Sequence, residues 1–329
     1  MTQKKILSGM RPTGKLHLGH LVGALENWVS LQTNYKNFHL IADYHALTTN
    51  TDTSELEQNT LEMVIDWLAA GIDPNKSILF RHSQVKQHAE LHLIFSMLIS
   101  TSRLERNPTL KEQIRDLSID NLSYGHLGYP VLQSADILLY KGEVVPVGED
   151  QVPHVEITRD IAKKFNNTYG KVFPEPESLI TKFARLPGLD GKQKMSKSVN
   201  NTILISDKTD DVLSKIKLAV TDPLKVRKND PGRPDVCTVF TYHTKFNSKY
   251  ENEIRNGCET GTLGCVECKL KCASSISQTI APIVEKRSSL ENKIKDVWNI
   301  INDGESQARK IAEETMIEVR SKMKLGVLN

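Results

Sequence analysis

The feature that most limits how this chain can fold lies at its beginning. The segment Lys5-Ile6-Leu7-Ser8 has the composition of a strand, a turn follows between Gly9 and Gly14, and from about His17 the apolar residues Leu18, Leu21, Val22 and Leu25 share one helical face. A second strand, Phe38 to Asp43, comes at once. Strand, helix and strand in this order make a βαβ unit. The pattern repeats through an amphipathic stretch from Ser54 to Ala70, a strand from Ser77 to Phe80 and a helix from Ala89 to Ser100. Such alternation predicts an α/β fold, a parallel sheet covered by helices, with its ligand crevice at the carboxyl ends of the strands.

At 329 residues the chain is too long for one compact core, so two units are expected. The alternating pattern ends near the Pro- and Gly-containing stretch Leu186 to Gly191. We therefore expect a Rossmann-like parallel-sheet unit over residues 1–192, a connecting loop over 193–203 and a mainly helical unit over 204–329, whose last helix is a candidate to pack back on the first unit. Within the second unit, Val212 to Val220 and Gln278 to Lys324 carry helical periodicity. The polar region between them is interrupted by Pro231, Gly232 and Pro234. With 39% hydrophobic and 25% charged residues, no apolar run long enough to cross a membrane and no leader, the expectation is a cytoplasmic protein. The net charge of +3 does not by itself indicate a nucleic-acid binder, because phosphate affinity depends on clustered Lys and Arg.

Two short motifs carry chemistry. The first is Pro12-Thr13-Gly14-Lys15-Leu16-His17-Leu18-Gly19-His20, at the junction of the first strand and first helix. His17 and His20 fall on one face of the first helical turn, where unpaired backbone N–H groups favour phosphate, and Gly19 allows a nucleotide close to the backbone. The second is Lys194-Met195-Ser196-Lys197-Ser198, preceded by Gly188, Gly191 and Lys192. Two lysines flanking a hydroxyl on a flexible loop can close over a triphosphate and meet the charge that develops as pyrophosphate departs.

Together these motifs resemble the HIGH and KMSKS signatures of class I aminoacyl-tRNA synthetases, and the spacing is similar to that of the small tryptophan and tyrosine members. Over nearly the whole chain the resemblance is to bacterial tryptophanyl-tRNA synthetases. It implies a catalytic first unit, an anticodon-binding second unit, ATP with Mg²⁺, L-tryptophan and tRNA(Trp) as partners, and a homodimer. It assigns catalysis to His17, His20, Lys194 and Lys197. ATP binding falls to Arg11, Thr13, Gly19, His20, Gly148, Asp150, Lys194, Met195, Ser196, Lys197 and Ser198, with Gly148 and Asp150 in the family's GxDQ element, Gly148-Glu149-Asp150-Gln151.

The amino acid is read from Tyr129-Pro130-Val131-Leu132-Gln133-Ser134-Ala135-Asp136-Ile137-Leu138-Leu139-Tyr140, which resembles the tryptophan-enzyme helix whose aspartate receives the indole N–H. Asp136 is the matching position. An indole nitrogen is only a donor, so a buried carboxylate suits it. Leu7, His45, Tyr129, Gln133 and Gln151 complete the implied tryptophan pocket. One subgroup of the family differs here: it has an aromatic residue in place of Leu7, glutamine in place of Arg11, and a first signature without the two histidines. A tyrosine–tRNA ligase shares every ATP motif and is the alternative substrate reading. A non-charging, RNA-binding paralogue and a nucleotidyltransferase are further alternatives.

All five cysteines lie between Cys237 and Cys272. Clustering of this kind in a reducing compartment points to a metal more than to disulfides. Cys258, Cys265 and Cys268 follow a C-x6-C-x2-C spacing, with Cys237 twenty intervening residues upstream. Four thiolates could hold a [4Fe–4S] cluster or a tetrahedral zinc ion, although only Cys265 and Cys268 form the tight pair usual in zinc sites. The resemblance extends to a subgroup with a cluster motif of this spacing, which favours iron–sulfur and leaves Cys272 as a free thiol. Nearby, Lys225, Arg227, Lys228 and Arg233 with Tyr242 and His243 could meet RNA or form a solvated loop.

Overall fold

The computed structural model describes residues 3–116, 121–180 and 186–326, and of Asp116, Asp150 and Ser198 the backbone alone. Five strands, β1 (Lys5–Met10), β2 (Lys36–Ile41), β3 (Ser77–Arg81), β4 (Val144–Val147) and β5 (Glu177–Ile180), form one sheet in the order β3-β2-β1-β4-β5. Every pairing is parallel. Strands are added on one side of β1 and then on the other, so the switch between β1 and β4 leaves a crevice at their carboxyl ends.

β1, β2 and β3 follow the predicted positions with shifts at the ends, while β4 and β5 are additional to the strands expected from the sequence. Asp43, expected to close the second strand, instead begins a short helix, Asp43–Leu47. Its carboxylate accepts the backbone N–H of Tyr44 at 2.8 Å and of Ser83 at 2.9 Å, which ends the strand and fixes the start of the helix.

Successive strand residues face opposite ways. Ile41 and Leu79 enter a core shared with the first helical turns, with α1 (Leu56–Ala70) and with the C-terminal helices. Leu40 and Phe80 enter a second core on the other face, built with α2 (Gln87–Ser96), α3 (Tyr124–Leu139) and α4 (Val152–Tyr169). The C-terminal part contains α5 (Thr209–Leu218), α6 (Thr238–Phe246), α7 (Glu251–Glu259), α8 (Cys265–Glu291) and α9 (Ile294–Lys322). The polar region 221–277 is thus more helical than its breakers suggested. Of its helices α7 buries only Ile254, so apolar periodicity is thin there.

Helix α9 lies directly on the sheet. A Cβ at Gly304 would stand 1.9 Å from the Leu79 carbonyl oxygen, so only glycine permits the approach. Ala308, Ala312, Met316 and Val319 enter the second core. The contact is edged by Arg81 to Glu305 at 2.6 Å and Arg320 to Glu90 at 2.6 Å.

Candidate active site

The first signature sits where β1 turns into the first helix. His17 precedes that helix, and its backbone N–H donates to His20 Nδ1 at 3.3 Å. The two rings lie 3.8 Å apart at a tilt of 31°. A Cβ at Gly19 would come within 2.9 Å of the His17 ring, so the glycine is required by the packing of the motif itself as well as by any approaching ligand. Burial lowers His17 to about 4 and His20 to about 3, with Lys197 adding to the effect. Both rings are therefore neutral at neutral pH. A π-type turn, Leu21–Leu25, follows the motif directly.

The second signature is laced onto the first. Leu18 N donates to Ile203 O at 2.9 Å, and Ile205 N donates to Leu16 O at 2.9 Å. Within the loop, Asn201 Oδ1 accepts Ser196 N at 2.7 Å and Asn201 Nδ2 donates to Asp190 at 3.1 Å, while Pro187 pairs with Lys194. The Lys197 ammonium donates to the carbonyls of Thr13 and, at 3.0 Å, of Lys15. The lysine of one signature thus caps the turn of the other, and the buried Met195 lies over Gly19.

Beside this junction a cavity of about 700 Å³ opens at the β1–β4 switch. Leu7, His45, Tyr129, Gln133, Asp136 and Gln151 all line it, as do Arg11, Gly148 and Lys194. Arg11 also donates to Thr49 at 3.1 Å. His17, His20, Thr13, Gly19, Met195, Ser196 and Lys197 do not line the cavity. The Asp150 and Ser198 side chains lie outside what is described.

Asp136, in the last turn of α3, is 1% exposed and held by histidines from three segments. His45 Nε2 lies 2.7 Å from Oδ2, His88 Nδ1 lies 2.7 Å from Oδ1, and His82 Nε2 approaches Oδ1 to 3.0 Å. His88 is fixed on its other side by the Tyr140 hydroxyl at 2.9 Å. Burial alone would raise the Asp136 carboxyl, but the surrounding imidazoles outweigh it and hold the group well below the usual carboxylate range. Tyr129 is oriented by His154 at 2.7 Å, and His154 by Asn107 at 3.0 Å. His82, His88, His154 and Asn107 belong to no contiguous motif. The available signal was that nine of the ten histidines precede residue 155.

In the helical part, Cys237 caps α6, Cys258 lies in α7, and Cys265 and Cys268 occupy the first turn of α8. All are free thiols. Burial raises Cys268 to about 12, with Cys237, Cys258 and Cys265 adding by their mutual repulsion. Among the described residues no three of these sulfurs lie within 4.8 Å of one another. A tetrahedral zinc, with Zn–S bonds of about 2.3 Å, needs its sulfurs about 3.8 Å apart. Cys272 is buried and approaches the Val239 carbonyl at 3.9 Å.

Residues 2–281 match the family model described as tRNA synthetases class I (W and Y). The tryptophan–tRNA ligase of Thermotoga maritima is 49% identical over 98% of this chain and 99% of its own. That of Aquifex aeolicus is 43% identical over 98% of this chain and 100% of its own. The chain belongs to the tryptophan–tRNA ligases. A tryptophanyl-tRNA synthetase from Campylobacter jejuni, solved with ADP and tryptophan, superimposes with a TM-score of 0.86 at 35% identity, covering 97% of this chain and 99% of that one. The expected parallel sheet with a helical C-terminal region and the expected aminoacyl-tRNA ligase family are both borne out. Among the described residues no helix is long and apolar enough to cross a membrane.

Proposed function

We propose that this tryptophan–tRNA ligase activates L-tryptophan with ATP to tryptophanyl-adenylate and transfers the acyl group to tRNA(Trp). One observation carries the reading: the cavity that presents Asp136, Tyr129 and Gln151 is also lined by Lys194 of the second signature, beside the paired histidines of the first. The indole N–H would donate to Asp136, with His45 and Leu7 along the ring and Tyr129, Gln133 and Gln151 near the ammonium group. Arg11, Thr13, Gly19, Gly148, Asp150, Met195, Ser196 and Ser198 would cradle the nucleotide.

The tryptophan carboxylate attacks the α-phosphorus in line, and the bond to pyrophosphate breaks. Lys194 and Lys197 meet the charge that grows on the leaving group, while His17 and His20 act as neutral hydrogen-bonding groups rather than acids. Mg²⁺ arriving with ATP supplies charge neutralisation and is held chiefly by the phosphates, as suits a cation that takes few protein ligands. The 2′-hydroxyl of the tRNA's terminal adenosine then attacks the carbonyl carbon of the adenylate, the acyl–phosphate bond breaks and AMP leaves. ATP–pyrophosphate exchange with tryptophan and tyrosine side by side tests the reading. Exchange with tyrosine alone would overturn the role of Asp136, and no exchange at all would favour a non-charging paralogue.

For the helical part we propose an anticodon-binding role, with Cys237, Cys258, Cys265 and Cys268 as thiolate ligands of a [4Fe–4S] cluster. Their sequence spacing supports this reading, as does their nearness, since Cys237, Cys258 and Cys265 each add to the rise at Cys268. The chemistry it supplies there is structural, tying α6, α7 and α8 together. Anaerobic purification with iron, sulfide and zinc assays tests this, and colourless, zinc-rich protein would overturn it. We further propose a cytoplasmic homodimer with unit boundaries at residues 192 and 204, which sedimentation and limited proteolysis test.

A further inference from the structure

Three of the groups around Asp136 make more of a site than recognition of one indole N–H needs. A ring nitrogen of His45, a ring nitrogen of His82 and a carboxylate oxygen of Asp136 all lie within 4.8 Å of one another. His82 is fully buried, and its Nδ1 has no hydrogen-bond partner among the described residues. Its Nε2 stands 3.0 Å from Asp136 Oδ1, an oxygen that also meets His88 Nδ1 at 2.7 Å. A buried ring nitrogen without a partner is costly unless something satisfies it. Because burial keeps His82 neutral, its lone pair is free to be a ligand.

We propose that His45, His82 and Asp136 form a binding site for a divalent transition-metal ion of the zinc class, entered from the cavity, whose occupation shuts tryptophan out. Two imidazoles and a carboxylate are a borderline-soft donor set that suits zinc, cobalt or nickel and is a poor match for Mg²⁺, which prefers oxygen. Three protein ligands leave the fourth position open toward the cavity, where a water would complete a tetrahedron. Support beyond the ligands is in place, since His88 holds the carboxylate and is itself held by Tyr140 at 2.9 Å. On binding, His45 would give up its hydrogen bond to Asp136 and offer Nε2 to the ion with its proton on Nδ1. The metal site stands on geometry alone. Exclusion of tryptophan rests in addition on the proposed role of Asp136, because ion and indole N–H would claim the same carboxylate.

Cobalt(II) is the probe, because its spectrum separates imidazole and carboxylate ligation, with weak visible bands, from thiolate ligation, with intense near-ultraviolet bands. It is titrated into the purified full chain, wild type, H82Q and H45N, with folding checked by thermal melting. The expected result is an imidazole-type signal saturating at one ion per chain, displaced by Zn²⁺ and by tryptophan and untouched by millimolar Mg²⁺. Either substitution should weaken it at least about 10-fold. H45N alters a half-buried cavity residue and keeps the test alive if H82Q does not fold. No imidazole-type signal, or equal affinity in wild type and both variants, would overturn the metal site. A signal lost in the variants but indifferent to tryptophan would uphold the site and overturn the reading of Asp136.

Discussion

Asp66 on α1 and Arg287 on α8 form a buried ion pair, and the same carboxylate accepts the backbone N–H of Leu16 at 2.6 Å. Leu16 stands between Lys15, whose carbonyl holds Lys197, and His17. The C-terminal helices are therefore wired by two links to the turn that bears the first signature. Replacing Arg287 with methionine strands the Asp66 charge in the core and should lower stability by about 3–5 kcal/mol. Adding D66N removes that charge but keeps an acceptor for Leu16, so the double variant should recover much of the loss. Denaturant unfolding checks both, and an R287M protein as stable as wild type would remove the pair from this role.

Lys197 docks on the carbonyls of Thr13 and Lys15 but does not line the cavity. K197A should reduce kcat for ATP–pyrophosphate exchange by about 10²–10³-fold, the usual effect of deleting one charge-stabilising donor. The KM for tryptophan should hardly move. A change confined to KM would show that the lysine binds substrate instead of stabilising the departing pyrophosphate.

D136N keeps the size of the side chain and removes its charge. The KM for tryptophan should rise about 10- to 100-fold, the cost of a weakened buried polar contact. The KM for ATP should stay unchanged, because the ATP signatures stand apart from the histidine cluster. Steady-state exchange kinetics separate the two.

Acid should destabilise the fold through its neutral buried histidines. Burial lowers His17 and His82 to about 4 and His20 and His39 to about 3. Unfolded, these groups titrate near 6.5, so between 6.5 and the native values the unfolded chain binds more protons. Their stabilisation is complete above about pH 6.5 and is lost as pH falls toward 3. His39 is fully buried, stacks on Trp28 at 4.6 Å and has no hydrogen-bond partner among the described residues. H39F should therefore raise the Tm and flatten its decline below pH 6.5, as melting curves across that range would show.

What could be read from the sequence was whatever lies contiguous in it. The βαβ start, the His17–His20 pair and the Lys194–Ser198 run each announce themselves within a few residues, and the apolar Ile137-Leu138-Leu139 signalled that Asp136 is buried. The docking of Lys197 on Thr13 joins residues 184 apart, and no local pattern encodes it. The same holds for His45, His82 and His88, which reach Asp136 from separate segments. Helices such as α7 went unread because a single buried isoleucine leaves no periodicity to detect.

The seat of Gly304 on Leu79 also bears on the order in which the protein can be made. β3 is an edge strand, and α9 supplies part of the core behind it. While the ribosome is still synthesising residues 294–322, the emerging sheet has all its strands but lacks this cover, and an uncovered edge invites pairing with other chains. The nascent chain is most exposed to misassembly just before its last helix arrives.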